Sequence, residues 1–221
     1  MRVLLIYPLY AQFYRGWMFP PLGLLCIASV LEQEGHEIVL FDTNVEKVDR
    51  DLRQIKGVSP DIVGLSSTSM TIAETMEEAK LVKEIYPEVP VVVGGSHATA
   101  SPQDVLSNPH VEFVVRGEGE LTCAELVECL ERGESLGEVP GLSYKENGNI
   151  INNPPRPLIP NLDALPFPSY HLLHNLDRYK NKRPRRKPWM PCLTSRGCTH
   201  ACIFCSVSTA MGKAACWRGH S

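Results

Sequence analysis

The sequence predicts an α/β fold in which helices cover both faces of a doubly wound parallel sheet. Two observations carry this prediction. Strand-like and helix-like segments alternate through the first 133 residues, and the strand-like segments are continuous runs rich in β-branched residues. Continuous apolar runs are typical of strands buried on both faces. Strand–helix repetition is typical of parallel sheets with crossover helices.

Local signals place the individual elements. Pro21 and Gly35 bracket one helix, and Thr71 caps another helix that Pro87 ends. The five predicted strands are Arg2–Tyr7, Glu37–Asp42, Asp61–Ser67, Val89–Gly95 and Val111–Gly117. The four predicted helices are Pro21–Gly35, Val45–Gly57, Thr71–Pro87 and Gly119–Gly133.

The composition changes after Gly137. The run GLSYKENGNIINN predicts a hairpin around Asn147-Gly148. The run PPRPLIPNLDALPFPSY has too many prolines for a helix or a central strand and predicts an extended linker. The basic run Arg178–Pro188 is interpreted as a solvated loop in preference to a phosphate or nucleic-acid contact, and Trp189–Ser195 predicts one new strand. The predicted division is a domain over 1–137, a hairpin and linker over 138–188, and the start of a second domain over 189–221.

Three loops at the carboxyl ends of predicted strands form a candidate ligand site. Ser66–Thr71, Gly94–Thr99 and Arg116–Glu120 are rich in Gly, Ser or Thr, or carry closely spaced glycines. Such residues let a large ligand approach the backbone. A strand order of 2-1-3-4-5 would place the three loops side by side, outside the carboxyl ends where ligands bind. The alternative is that these residues only make turns and helix caps.

Two common nucleotide motifs are missing. No GxGxxG follows the first strand, which disfavours a dinucleotide site, and no GxxxxGK(S/T) occurs, which excludes a P-loop. His97 could ligate a metal or hydrogen-bond a cofactor, and the competing interpretation is a polar loop residue with ordinary partners.

The eight cysteines fall into two groups. Cys26, Cys123 and Cys129 lie in apolar helix-like segments, where a thiol usually acts as a small buried hydrophobe. The other five crowd the C-terminal end of the sequence. In a chain without a signal peptide such clustering points to metal or redox chemistry before disulfides.

Cys198, Cys202 and Cys205 have the spacing CxxxCxxC. Thiolates are soft ligands that suit an iron–sulfur cluster or zinc. A cluster held by protein alone normally has four cysteine ligands, so three ligands suggest that one iron is left open. Cys192 is a candidate fourth ligand, and with it a zinc site of four cysteines is the alternative.

These residues carry a family resemblance. CTHACIFC resembles the radical S-adenosylmethionine (SAM) signature CxxxCxΦC, with Phe204 at the aromatic position. PPLGLLCIASVLE, GGSHAT, RGEGE, NLDALPFPSY and TSRGC…CIFCS are similar, in this order, to the subclass of radical SAM enzymes with a cobalamin-binding domain. That subclass includes class B methyltransferases and anaerobic magnesium-protoporphyrin ester cyclase-like proteins.

The resemblance implies three cofactors. Cys198, Cys202 and Cys205 would hold a 4Fe-4S cluster whose open iron binds SAM, and Phe204 would lie beside the adenine. The three loops would hold cobalamin above a flavodoxin-like sheet, through Ser66, Ser67, Thr68, Ser69, Gly94, Gly95, Ser96, His97, Gly117, Glu118, Gly119 and Glu120. The implied reaction is reductive cleavage of SAM for radical methylation or oxidative cyclisation, with the cofactors carrying the chemistry and no catalytic side chain assigned.

The sequence departs from the family pattern in two ways. The DxHxxG motif is absent, so cobalamin would be bound without a histidine ligand, and His97 is not assumed to serve as one. A full barrel of the radical SAM type needs about 200 residues, and this sequence supplies one strand and the cluster loop. We therefore expect the N-terminal part of such an enzyme, which ends in the first strand and cluster loop of an incomplete partial (β/α) barrel and is inactive alone. The alternatives are a non-catalytic corrinoid- or zinc-binding module, and a protein whose α/β domain has lost cobalamin and docks substrate.

The partners follow from the same interpretation. We expect a small-molecule substrate and an external electron donor, and a separate chain could carry the rest of the barrel. A net charge of −3 gives no reason to invoke nucleic acid or an anionic membrane. The start of the sequence lacks a signal-peptide cleavage site, and the apolar run LGLLCIASVL is too short to span a bilayer, so we expect a cytoplasmic protein.

Overall fold

The computed structural model describes residues 1–8, 19–45, 52–174, 176, 179, 190–200, 202, 203, 205, 207, 212 and 216–219. A seven-stranded sheet has the order β2-β1-β3-β4-β5-β6-β7. Its strands are β1 (Arg2–Tyr7), β2 (Glu37–Asp42), β3 (Ile62–Ser67), β4 (Val91–Gly95), β5 (Phe113–Val115), β6 (Leu142–Glu146) and β7 (Asn149–Asn152). The first five pair in parallel. The predicted fold class is therefore confirmed, together with the order 2-1-3-4-5.

The described helices connect and cover these strands. The α-helices are α1 (Leu22–Gln33), α2 (Ile72–Ile85), α3 (Ser96–Ala100), α4 (Pro102–Ser107) and α5 (Gly119–Arg132). Short 3-10 helices lie at Leu52–Gly57, Leu136–Glu138, Leu162–Ala164 and Tyr170–Leu172. No helix in the described part of the chain is long and apolar enough to cross a membrane.

The two faces of the sheet bury separate cores. Leu5 of β1 packs in one core with Leu25 of α1 and Leu126 of α5. Its neighbour Leu4 packs in the other core with Val82 of α2. Successive side chains of a strand point to opposite faces, so burial on both faces explains why the strands read as continuous apolar runs.

Several elements differ from the predictions. The predicted helix Val45–Gly57 is a 3-10 helix over Leu52–Gly57, and residues 46–51 lie outside the described part. Helices α3 and α4 were not predicted, although Pro102 at the first position of α4 is a helix-start signal. The prediction of a strand over Trp189–Ser195 is wrong for residues 190–194, which form no strand. Pro191 lacks a backbone N–H for a ladder, and β8 (Ser195–Arg196) pairs antiparallel with β9 (Cys216–Trp217) instead.

The predicted hairpin extends the central sheet. β6 pairs antiparallel with β5, and β7 pairs with β6. Asn147 and Gly148 form the turn with φ of 51° and 78°, the left-handed values that a two-residue hairpin turn requires. The sheet therefore continues past residue 137 to Asn152.

The proline-rich segment packs against the first domain. Ile159, Leu162 and Leu165 form a small buried core with Val30 of α1. The Ser169 amide donates to the Leu25 carbonyl at 3.1 Å. We call residues 154–173 the strap, because this extended segment lies along helices α1 and α5.

Candidate functional site

A cavity of about 440 Å³ lies between the sheet and helices α1 and α5. It reaches the loops at the carboxyl ends of β3, β4 and β5, and its walls are mostly apolar. The sheet contributes Leu5 and Val92, α1 contributes Ile27, and α5 contributes Leu126 and Val127. The cavity therefore combines an apolar interior with the backbone of three polar or glycine-rich loops.

Hydrogen bonds join the three loops into one rim. The Ser67 hydroxyl donates to the Gly94 carbonyl at 2.8 Å and connects the loops after β3 and β4. The Gly117 amide donates to the Thr99 hydroxyl at 2.9 Å and connects the loops after β4 and β5. The strand order places these loops side by side, as expected for that order.

The structure divides the predicted binding residues into two sets. Ser66, Gly94, Gly95, Gly117, Glu118, Gly119 and Glu120 line the cavity. Ser67, Thr68, Ser69, Ser96 and His97 do not line it. The second set belongs to the rim, where several of its members bond to each other or to neighbouring loops.

His97 connects two elements of the rim. Its Nδ1 lies 3.2 Å from the Ser69 hydroxyl, and its Nε2 lies 3.0 Å from Asp104 of α4. Both ring nitrogens therefore have protein partners. These contacts favour the interpretation of His97 as a polar loop residue with ordinary partners over its interpretation as a metal ligand.

Glycines shape the walls of the cavity. Gly95 has φ of 101°, and a Cβ there would lie 2.2 Å from the Ser67 carbonyl oxygen. Gly64 lies in the interior of β3, where a Cβ would lie 2.9 Å from Leu5 Cδ2. A Cβ on Gly23 of α1 would meet no atom within 4 Å. Gly95 thus permits close backbone packing, whereas Gly23 leaves open space at the cavity.

Arg196 is a site residue that sequence reasoning missed. Its Nη1 lies 3.1 Å from Glu118 Oε1, and its Nη2 pairs with Glu120 Oε1. The exposed fractions of the three side chains are 10%, 7% and 4%. Burial by itself lowers the pKa of Arg196, but the hydrogen bond and charge of Glu120 and the hydrogen bond to Glu118 raise it overall. The signal in the sequence was an arginine two residues before Cys198, the first cysteine of the motif.

Two thiols and a carboxylate oxygen add polarity to the apolar cavity. Burial and then the Glu120 charge raise the pKa of Cys26 to about 11 and that of Cys123 to about 12. These thiols are neutral at physiological pH, which fits their prediction as small hydrophobes. Glu120 Oε2 is buried and has no hydrogen-bond partner, so this oxygen can accept a donor from a ligand.

The cysteine motif lies at the surface. Cys202 and Cys205 are exposed, Cys198 is half-buried, and Cys192 is exposed. Cys198 Sγ lies 3.9 Å from His200 Nδ1. In the described part of the chain, no group of three His, Cys, Asp or Glu side chains is arranged to hold a metal ion. The donor chemistry therefore suits a metal or cluster, while the arrangement is not that of an assembled site. Phe204, the predicted SAM contact, lies outside the described residues.

The family comparison covers most of the first domain. A family model described as the B12 binding domain matches residues 15–127 of the chain. This range includes α1, α2 and all three rim loops.

Two curated relatives match almost the whole chain. An uncharacterized methyltransferase of Pyrococcus horikoshii is 43% identical over 100% of this chain and 48% of its own length. An anaerobic magnesium-protoporphyrin IX monomethyl ester cyclase of Rubrivivax gelatinosus is 30% identical over 93% of this chain and 38% of its own length. The chain therefore spans less than half the length of these relatives.

A solved structure shares the fold. The radical S-adenosylmethionine methyltransferase TsrM from Kitasatospora setae, with cobalamin and a 4Fe-4S cluster bound, superposes with a TM-score of 0.72 at 20% identity. The superposition covers 99% of this chain and 43% of TsrM.

Proposed function

The chain belongs to the family of B12-binding domain proteins, and we propose that it holds cobalamin as part of a cobalamin-dependent radical SAM enzyme. The proposed activity is reductive cleavage of SAM at a 4Fe-4S cluster, used for radical methylation or oxidative cyclisation of a small-molecule substrate. The methyltransferase and the cyclase among its relatives support this class of reaction.

The cavity beneath the three loops carries the proposal. Cobalamin combines a broad planar ring with a nucleotide tail that ends in an aromatic base. An apolar cavity with a few polar groups is the usual form of a cofactor site, and this cavity lies where ligands bind to open parallel sheets. The apolar side chains from the sheet, α1 and α5 would surround the tail, and the rim loops would lie against the ring.

The rim residues would position the ring through backbone and hydroxyl groups. Gly94, Gly95 and Gly117 expose backbone close to the cavity, which favours the approach of a large ligand. Both ring nitrogens of His97 are engaged by protein partners. We therefore propose that His97 orients Ser69 and does not serve as a ligand to cobalt.

Cys198, Cys202 and Cys205 would hold the cluster. Their thiols are free in the structure, and three cysteines leave one iron for an exogenous ligand. When bound, the three cofactors would supply the electron, the radical and the methyl carrier. An external electron donor is part of this proposal.

The 221 residues by themselves are proposed not to turn over SAM. Cys202, Cys205 and the intervening Ile203 are exposed to solvent, and radical chemistry requires a site that excludes water. A separate chain that covers the exposed cysteine loop is part of this proposal. Production of 5′-deoxyadenosine by the purified, reconstituted chain with reductant would contradict this part of the proposal.

A second candidate function is a corrinoid-binding module whose cysteine loop holds zinc. Thiolates suit zinc as well as iron, and Cys192 is an exposed candidate for a fourth ligand. Anaerobic reconstitution with iron and sulfide separates the two candidates. A broad brown absorbance that persists after gel filtration supports the cluster, and its absence supports the second candidate.

The test of cobalamin binding uses hydroxocobalamin and the whole chain. We expect the chain to retain stoichiometric corrinoid through gel filtration. Gly23→Leu should weaken binding at least about 10-fold, because Gly23 lines the cavity and a leucine adds bulk at its wall. Gln33→Leu, on the exposed side of the same helix, should bind as the wild type does. No retention by the wild type, or equal retention by all three proteins, would overturn the proposal.

A further inference from the structure

We propose that Arg196 is a positioning residue that links the occupation of the cavity to the placement of the cysteine loop, through Glu118 and Glu120. The proposal rests on the proposed binding of cobalamin in the cavity. It adds a role for the three charged residues that neither the family comparison nor the cysteine motif assigns.

The first step is the contact between two distant parts of the chain. Arg196 lies two positions before Cys198, and its guanidinium bonds to two carboxylates of the loop that begins α5. All three side chains are at least nine-tenths buried. A buried ion pair costs much more to break than an exposed one, because the partner charge is left without compensation. The segment before the first cysteine is therefore held at the cavity wall.

Other contacts hold the neighbouring strand to the strap. The Glu118 carboxylate also accepts the Ile159 amide of the strap at 2.6 Å. The Gly219 amide donates to Asp163 of the strap at 2.7 Å. Arg196 thus holds β8 to the loop at the start of α5, while β9 and the residues after it contact the strap.

The second step concerns a carboxylate oxygen of Glu120 that has no partner when Arg196 is bound. Glu120 gives Oε1 to Arg196, and its Oε2 is buried without a partner. Both residues line the cavity, as do Leu193, Ser195 and Gly197 of the cysteine segment. One guanidinium faces two carboxylates, so the cluster carries excess negative charge. A hydrogen-bond donor on a ligand in the cavity would satisfy Oε2.

The consequence is a coupling between the cavity and the loop. With a donor bound, Glu120 is fixed by two partners and Arg196 keeps a fixed acceptor. Without a donor, the docked arrangement leaves Glu120 Oε2 buried and unpaired, and this cost favours local opening of the segment that Arg196 holds. Cobalamin carries amide and hydroxyl donors around its ring and tail, so its binding would order the segment that leads into Cys198.

Amide hydrogen exchange of the whole chain tests this coupling, with corrinoid absorbance read on the same samples. At saturating hydroxocobalamin we expect exchange across residues 193–200 to slow at least about fivefold in the wild type. Arg196→Gln should lose most of this protection when corrinoid absorbance shows that the variant is also saturated with hydroxocobalamin. Arg196→Lys should restore part of it, because an ammonium can reach one carboxylate without the bidentate geometry.

A matched variant controls for the loss of a buried arginine. Arg156 joins the strap to Glu125 and Thr122 of α5 and does not line the cavity. Arg156→Gln should keep the protection of residues 193–200. Glu120→Gln gives an independent variant of nearly the same shape if Arg196→Gln does not fold, and it should also lose protection.

The outcomes separate the two proposals. If the wild type fails to retain hydroxocobalamin, the proposed function and this inference both fall. If it binds corrinoid and residues 193–200 exchange at an unchanged rate, the inference alone falls. Full protection in Arg196→Gln or in Glu120→Gln would likewise overturn it.

Discussion

At the scale of single residues, Gly95 of the rim has a strict steric requirement. A Cβ there would lie 2.2 Å from the Ser67 carbonyl oxygen, and the φ of 101° is strained for any other residue. We expect Gly95→Ala to lower the free energy of unfolding by about 3 kcal/mol, from strain and overpacking together.

Urea denaturation measures this effect, and Gly133→Ala serves as its control. Gly133 also has a positive φ, of 67°, but a Cβ there meets no atom within 4 Å. Its substitution should cost about 1 kcal/mol, from backbone strain alone. Equal losses for the two variants would show that the contact with Ser67 is unimportant.

The buried thiol of Cys26 makes a prediction about pH. Burial, and next the Glu120 charge, raise its pKa from 9.0 to about 11. Above pH 9 the unfolded chain loses this proton before the folded chain does, so the free energy of unfolding falls as pH rises toward 11. We expect the Cys26 contribution, up to about 2 kcal/mol, to be complete below pH 9 and lost over that window.

Comparison with Cys26→Ala isolates this titration from that of Lys and Tyr. Urea denaturation between pH 8 and 11 should show a shallower fall in the free energy of unfolding for the variant. The variant lacks the thiol whose proton the unfolded chain loses before the folded chain does. Identical slopes for the two proteins would contradict the assignment.

At the scale of elements, the strap behaves as part of the domain and not as a free linker. Leu162 of the strap is fully buried and packs in one small core with Val30 of α1. Leu162→Ala should destabilise the chain by about 3 kcal/mol, from lost burial and the remaining cavity. Leu158→Ala, at a position that is 42% exposed, should change stability by less than about 0.5 kcal/mol.

Limited proteolysis across residues 154–169 reports the same difference. Cleavage in the strap should be faster in Leu162→Ala than in the wild type, and unchanged in Leu158→Ala, since the exposed backbone of loosened segments is the site of nicking. A strap that is cleaved as fast in the wild type as in Leu162→Ala would contradict the packing described above.

The same segment shows where element prediction succeeds and where it is incomplete. Prolines correctly exclude an α-helix and a central strand, and the segment is extended apart from two short 3-10 helices at Leu162–Ala164 and Tyr170–Leu172. The burial of Leu162 depends on α1, which is distant in sequence. The strand predicted over Trp189–Ser195 was misplaced because pairing with β9 (Cys216–Trp217) decided its position, and a partner strand so far along the chain gives no local signal.

At the scale of the whole molecule, binding of cobalamin should stabilise the fold. A ligand that binds the folded chain alone, at 100-fold over its Kd, contributes about 2.7 kcal/mol. For a chain of this size, at about 2–4 °C per kcal/mol, that corresponds to a rise in Tm of about 5–11 °C. Thermal unfolding with and without hydroxocobalamin measures the rise.

Gly23→Leu is the matched control for the thermal shift. The variant should melt at or slightly above the wild-type temperature without ligand, because leucine is a better helix former than glycine. At the same hydroxocobalamin concentration, a 10-fold loss of affinity should reduce the rise in Tm to about half of the wild-type rise or less. A full rise in this variant would mean that the corrinoid stabilises the chain from somewhere other than the cavity.

The sequence by itself determined the five parallel strands and the position of the three loops at their carboxyl ends. These features depend on periodicity, on glycine and proline, and on the rule that parallel strands end at the same edge. The cysteine spacing likewise identified the candidate ligands without a structure. Such signals are local, so they can be read from neighbouring residues.

The tertiary structure alone decided which loop residues line the cavity and what Glu118 and Glu120 contact. Arg196 is 76 residues from Glu120 along the chain, and no local pattern pairs them. Their meeting depends on the path of the strap, which brings the cysteine segment back over the loop at the start of α5. The physical reason is burial: charged side chains enclosed at this depth require partners, and only the folded chain fixes which partners are within reach.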